Sequence, residues 1–312
     1  MEEWANNLSL VTLQPSISWC KGQNQDLLLV VGQCMAITDA LPDMKRELKF
    51  FPADRKKANT LTHGQVDDFN EKGFLCPVGV MIGDEVRRNR AYFDRLMELA
   101  VDAGLNSYSI NGWHSSCAGL HDLVTNDRIL DAVEDLIGPN LVCTMSHFFC
   151  KMPGDPKQVS WHQDASYWPL TPSKVVTVWL AIDDVDEEMG PMRVIPGTHV
   201  HGQIAFEHSR PEENNVLAQT VVNAGDFGDP VSFVMKAGQA SLHTDLLLHG
   251  SEPNRSERRR CGLTLRYMPP DVRGRNPEHQ PAVIARGKDV CGYWQHISRP
   301  DGDALPEKHR KR

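Results

Sequence analysis

The sequence predicts a mainly β domain with flanking helices, its strands arranged as a barrel or sandwich. Three observations predict it. After residue 140 the chain breaks into many short apolar or alternating runs separated by glycine and proline. Before them lie three amphipathic stretches bounded by helix-capping residues. The 312 residues, 40% of them hydrophobic, suffice for one large domain with its own core.

Residues 1–59 form an N-terminal extension to which the sequence assigns no role. It holds Trp4, Trp19, two cysteines and a short apolar run at 27–31, without clear periodicity, and ends near Arg55-Lys56-Lys57. The domain proper spans 60–300. Its first helix starts at a Thr62 cap, carries Val66 and Phe69, and stops at Gly73. A second, over 84–103, places Val86, Phe93, Leu96, Met97 and Ala100 on one face and closes at Gly104. A third, over 126–137, runs from an Asn126 cap to Gly138 with Ile129, Leu130, Val133, Leu136 and Ile137 inward.

Strands follow. Residues 141–150 are an apolar run. Residues 174–182 alternate, with Val175, Thr177, Trp179 and Ala181 on one face and Val176, Val178, Leu180 and Ile182 on the other. Short strands are expected at 193–195, 239–243 and 246–248. Residues 261–267 alternate, with Arg260, Gly262, Thr264 and Arg266 inward and Cys261, Leu263, Leu265 and Tyr267 packing outward. The stretch 202–238, rich in Asn, Gly and charge, reads as a long insertion of the kind that forms active-site lids. Residues 301–312 end in Lys308-His309-Arg310-Lys311-Arg312 and read as a solvated, disordered tail.

Bulk properties narrow the function. A net charge of −8 argues against nucleic acid or an anionic membrane as partner. No stretch reaches transmembrane length. Eight scattered cysteines contain no CxxC pair, so they read as free thiols of a cytoplasmic protein rather than a zinc site or disulfide framework.

The chemistry concentrates in His162-Gln163-Asp164 and, far downstream, His249. Two imidazoles and one carboxylate can occupy one face of an iron(II) ion and leave the opposite positions open. Residues i and i+2 of a strand point the same way, so His162 and Asp164 can reach one metal. The His-x-Asp motif alone is common by chance. What strengthens it is Arg260, eleven residues after His249, whose planar fork suits a carboxylate of an α-keto acid. Arg258 and Arg259 read as ordinary solvated charge, and Arg266 is the runner-up or a second inward cation for an anionic substrate.

With these residues the sequence resembles the phytanoyl-CoA dioxygenase family of iron(II)/2-oxoglutarate oxygenases over about residues 60–270. The resemblance is carried by Gln65-Val66-Asp67-Asp68-Phe69, Lys151-Met152-Pro153-Gly154 and His162-Gln163-Asp164-Ala165-Ser166-Tyr167-Trp168. It continues in Gly190-Pro191-Met192-Arg193-Val194-Ile195-Pro196-Gly197-Thr198-His199 and His249-Gly250-Ser251-Glu252-Pro253-Asn254. It implies a double-stranded β-helix, a jelly-roll, cupin-like barrel. It implies iron(II) on His162, Asp164 and His249, 2-oxoglutarate as cosubstrate with Arg260 on its distal carboxylate, and O2 as oxidant. Trp179, His147 and Ser251 fall at secondary cofactor-binding positions. Tyr167 and Trp168 at the pocket mouth, with Asn111, His114, Lys151 and Arg193, are candidates to meet a small-molecule substrate. His199, His201, His208 and His243 read as structural or surface residues. Halogenating relatives carry a small residue in place of Asp164, so its carboxylate favours hydroxylation or another oxidation. The rival reading is a non-catalytic metal- or 2-oxoglutarate-binding sensor or scaffold, against which the full ligand set counts.

Overall fold

The computed structural model describes residues 36–276 and 280–310. Its helices are α1 (His63–Lys72), α2 (Asp84–Asp102), α3 (Ala118–Val124) and α4 (Asp127–Ile137). Its strands are β1 (Phe74–Gly79), β2 (Leu141–Lys151), β3 (Val159–His162), β4 (Leu170–Thr171), β5 (Val176–Ala181), β6 (Met192–Val194), β7 (Glu207–His208), β8 (Gln219–Thr220), β9 (Val231–Ser232), β10 (Gln239–Thr244), β11 (His249–Ser251), β12 (Arg260–Met268), β13 (Arg273–Gly274), β14 (Gln280–Arg286) and β15 (Trp294–His296).

Local chemistry sets the helix ends. Thr62 and Gln65 form a reciprocal capping box at the start of α1, and Gly73 ends it in the left-handed region at φ +84°. The Asn126 side chain accepts from the backbone N–H groups of Arg128 and Ile129 to start α4, and Gly138 ends it. Helix α3 gave no signal in the sequence. It has seven residues and starts at Cys117 with no side-chain cap.

Seven strands form one sheet in the order β1-β10-β5-β12-β2-β14-β15, antiparallel except for the outer β14–β15 pair. Four form a second, antiparallel sheet in the order β3-β11-β6-β9. Alternation on β5 and β12 decides the layering. Val176, Val178, Leu180, Leu263, Leu265 and Tyr267 pack outward on Phe69, Phe93, Leu96, Leu130 and Val133, in the main core beneath the helices. Trp179 and Ala181 face the smaller sheet, where they meet Met192, Val194, Phe233 and Met235. The expected barrel is therefore two facing sheets. No strand pairing joins them among the described residues.

Several expectations need correction. Leu246-Leu247-Leu248 is a turn, and the strand begins at His249. All three leucines are fully buried, so an apolar run there reads like a strand. The stretch 202–238 is not an irregular loop throughout. Its β9 extends the small sheet against Arg193 and Val194, and Ile204, Phe206 and Val221 bury themselves against Ile195 and Leu248. Residues 301–310 are not a free tail. Asp303 accepts from the Tyr92 hydroxyl (2.9 Å) and the Gly119 N–H (3.2 Å), tying the segment to α2 and α3.

Of the N-terminal extension, 36–59 pack on the domain: Ile37 pairs with Phe206, and the Arg46 guanidinium donates to the carbonyls of Ala165 (2.7 Å) and Trp168 (3.4 Å). The apolar run at 27–31, Cys20, Cys34 and the last two residues lie outside the described residues. Cys76, Cys117, Cys143, Cys150, Cys261 and Cys291 are free thiols. No helix among the described residues is long and apolar enough to cross a membrane.

Candidate metal centre and its cavity

Register builds the site. His162 is the last residue of β3 and His249 the first of β11, and the two are direct cross-strand partners. Residues 87 positions apart thus bring their rings to a centroid separation of 4.1 Å. The strand ends at His162. Asp164 opens a 3-10 turn (Asp164–Ser166), and that turn, rather than strand alternation, aims its carboxylate at the histidines. Asp164 Oδ1 lies 3.7 Å from His162 Nε2 and 3.9 Å from His249 Nε2. One ligand atom from each residue lies within 4.8 Å of the others, and all three residues are buried.

Each imidazole is set as a ligand. His162 Nδ1 donates to the Ser160 carbonyl (2.8 Å), and His249 Nδ1 to the Leu247 carbonyl (2.9 Å). A carbonyl only accepts, so each Nδ1 carries a proton, and in the neutral ring Nε2 then keeps the lone pair a metal needs. Burial, then the neighbouring His162, pushes His249 well below the usual histidine range. Burial opposes ionisation of Asp164, but the adjacent imidazoles of His162 and His243 and the Arg266 charge hold it well below the usual carboxylate range. Its second oxygen accepts from the Thr177 hydroxyl of β5 (3.0 Å). Two neutral imidazole nitrogens and one anchored carboxylate oxygen, buried and already converged, are a donor set that fits iron(II).

The triad lines a cavity between the two sheets. Trp179, Met192, Ser251, Arg260, Thr264 and Arg266 also line it. Arg260 is fully buried. Its Nη2 donates to the Gly190 carbonyl (2.7 Å), its Nε has no acceptor, and its Cζ sits 5.5 Å from the Trp179 ring centre. Arg266 is also buried. Its Nη1 donates to Thr264 Oγ1 (2.8 Å), its Nε has no acceptor, and Trp168 lies under its guanidinium at 5.1 Å. Burial lowers the pKa of both guanidiniums. The Ser251 hydroxyl is buried at the cavity wall without a partner.

His243 is the cavity residue that the sequence reading passed over. It comes from β10, its Nε2 lies 3.8 Å from Asp164 Oδ2, its ring lies 4.8 Å from that of His249, and neither nitrogen has a partner. A signal existed. Ala240 and Leu242 belong to the core beneath the helices, so Ser241 and His243 occupy the opposite, inward face.

Other candidates lie outside the cavity lining. The Tyr167 ring meets His162 edge-on at 5.7 Å, and Trp168 supports Arg266 from behind. His147 pairs its Nε2 with the Tyr108 carbonyl (2.8 Å), packs on Phe149, and is pushed down to about 4 by burial. Asn111 bridges to His147 through the backbone. Arg193 lies 3.4 Å from Glu252 at the surface. His114 is buried against Ser146 (2.8 Å). Lys151 sits across from Arg260 and donates to the Ser251 (3.4 Å) and Glu252 carbonyls, and burial, then the Arg260 charge, pushes it down to about 6. Arg259 is no solvated charge. It binds Asp183 (2.8 and 3.0 Å) and Asp94 (2.5 Å), and so ties the segment just after β5 to α2.

The model of the family described as Phytanoyl-CoA dioxygenase (PhyH) matches residues 69–262. The chain is 26% identical over 241 residues to the peroxisomal phytanoyl-CoA dioxygenase of Rattus norvegicus, covering 69% of this chain and 70% of that one. It is 31% identical over 158 residues to a probable alpha-ketoglutarate-dependent hypophosphite dioxygenase of Stutzerimonas stutzeri, covering 49% of this chain and 54% of that one. The non-heme monooxygenase ThoJ, solved in its apo form, superposes with a TM-score of 0.65 at 27% identity, covering 76% of this chain and 88% of that one.

Proposed function

The chain belongs to the phytanoyl-CoA dioxygenase family, and on that premise we propose that it is an iron(II)- and 2-oxoglutarate-dependent dioxygenase that hydroxylates, or otherwise oxidises, a small-molecule metabolite with release of succinate and CO2. The two facing sheets then correspond to the halves of a double-stranded β-helix. The observation that carries the reading is one buried cavity holding both a preformed His-Asp-His ligand set and the unpaired Arg260 guanidinium.

In this reading His162, Asp164 and His249 hold the metal and Arg260 grips the distal carboxylate of 2-oxoglutarate. Iron(II) with 2-oxoglutarate supplies oxygen activation and the oxidative decarboxylation. The chain supplies the rest. Thr177 holds Asp164 Oδ2, leaving Oδ1 for the metal, the two backbone carbonyls lock both tautomers, and the Gly190 carbonyl fixes the Arg260 fork. Trp179 and Ser251 border the cosubstrate.

The test is an anaerobic titration of the full chain with iron(II) and 2-oxoglutarate, following the visible band of the chelate. A saturable band that weakens at least tenfold in affinity in Arg260→Ala and vanishes in Asp164→Ala is expected. Metal binding without any band in the wild type would overturn the oxygenase reading in favour of a non-catalytic relative.

A further inference from the structure

The cavity holds one guanidinium more than iron and 2-oxoglutarate can neutralise. Iron(II) carries two positive charges, offset by Asp164 and the chelating carboxylate of 2-oxoglutarate. The distal carboxylate offsets Arg260. Arg266 is left as a whole positive charge in a buried wall, where an unpaired charge is costly.

Its surroundings confirm the deficit. Among the described residues the carboxylate whose charge acts on Arg266 is Asp164, which the metal claims. Thr264 takes one Nη1 proton, Trp168 covers a face of the guanidinium, and the buried Nε–H finds no acceptor. Arg266 is also the cross-strand partner of Thr177, the residue that holds Asp164, so a group bound there stands beside the metal centre.

We propose that the substrate is a small acid, a carboxylate or a phosphoryl-type oxyanion, and that Arg266, backed by Trp168, binds its anionic group. This rests on the oxygenase reading above, which assigns the other guanidinium to 2-oxoglutarate. The guanidinium fork gives two parallel donors to such an oxyanion and thereby orients the adjoining carbon chain toward the iron position.

The experiment uses the full chain, anaerobic, with iron(II) and saturating 2-oxoglutarate. The probes are acetate, butyrate and hexanoate, each beside its primary amide, and inorganic phosphate. Binding is read by perturbation of the chelate band and by calorimetry. At least one anion should bind at least tenfold tighter than its neutral counterpart or than chloride. Arg266→Gln should erase that preference while changing 2-oxoglutarate affinity less than threefold, and Arg266→Lys should retain part of it. Thermal melts of both variants verify folding. A preference for phosphate over every carboxylate would name the oxyanion as phosphoryl. No preference for anions in the wild type would overturn the proposal. So would a tenfold loss of 2-oxoglutarate affinity in Arg266→Gln, which would give Arg266 to the chelating carboxylate instead. A wild type that forms no chelate band would instead defeat the oxygenase reading itself.

Discussion

Replacing Gly262 by alanine puts one methyl group where the structure has no room for it. Gly262 sits in β12 beside Trp179 of the neighbouring β5. An added Cβ would lie 2.6 Å from Trp179 Cη2 and closer still to Cζ2 and Cε2. Carbon atoms pack at about 3.5–4.0 Å, so the indole must retreat by roughly 1–2 Å. The ring belongs to a buried cluster with Phe74, Val185, Met192, Val194 and Phe233. The open direction is the cavity, toward Arg260. Overpacking of this kind costs about 1–3 kcal/mol, and at roughly 2–4 °C per kcal/mol the melting temperature should fall by a few degrees. The displaced ring should also cut 2-oxoglutarate affinity at least tenfold while metal affinity stays within threefold, because the histidine ligands stand on the other sheet. Thermal melts, metal titration and the chelate-band titration read the three effects separately, and Trp179→Phe in the Gly262→Ala background should restore both losses. An alanine variant with unchanged melting temperature and unchanged 2-oxoglutarate affinity would refute the steric argument.

Three further outcomes follow from the same geometry. Thr177→Val removes the donor to Asp164 Oδ2 without changing shape; a hydrogen bond to a charged group is worth about 1.5–3 kcal/mol, so titration should show metal affinity reduced roughly 10–100-fold in a folded protein. Arg259→Ala strips the buried Asp183 of its main partner, although Arg90 remains at 3.2 Å; urea unfolding should show a loss of about 2–3 kcal/mol, below the full cost of breaking a buried pair, whereas Arg258→Ala, on an exposed pair with Asp186, should cost under about 0.5 kcal/mol. Burial, with the Asp164 charge adding to it, pushes the Asp245 carboxyl up to about 7. The folded chain then keeps a proton that the unfolded chain releases near pH 4. The stability this contributes is full below pH 4 and is lost as pH rises toward 7, by up to about 4 kcal/mol. Asp245→Asn should remove that fall in metal-free protein, so that the variant gains on the wild type between pH 5 and pH 8; equal slopes in the two proteins would count against the assignment.

The helices were legible because their ends are local chemistry. Thr62, Gln65, Gly73, Asn126 and Gly138 mark boundaries within a few residues of their own backbone partners. The inward set of β12 was legible because period-two alternation is local too. What sequence could not supply was partnership at a distance. That β9 would close the edge of the small sheet, that Asp303 would return to Tyr92, and that Arg259 would clamp Asp94 to Asp183 all depend on segments far apart in the chain. His243 was missed for a different reason. Its neighbours alternate cleanly, but a histidine on an inward face has no motif to announce it, and only the convergence of β10 with β11 gives it a place beside Asp164.

The two faces of the large sheet divide the work. The outward face is apolar and fully packed, so each residue there lowers the free energy of the fold. The inward face carries Arg260 and Arg266, each with an Nε–H that has no acceptor, and with them the unpartnered Ser251 of the facing sheet and His243. Burying such groups costs stability unless something binds them. These four residues line one cavity together with the ligand triad. Ligands that supply acceptors to these guanidiniums and take up the triad therefore recover part of that cost. The same physics explains why the register of β3 against β11 matters more than any single residue. A slip by one position would turn His162 or His249 to the opposite face and take apart the ligand triad.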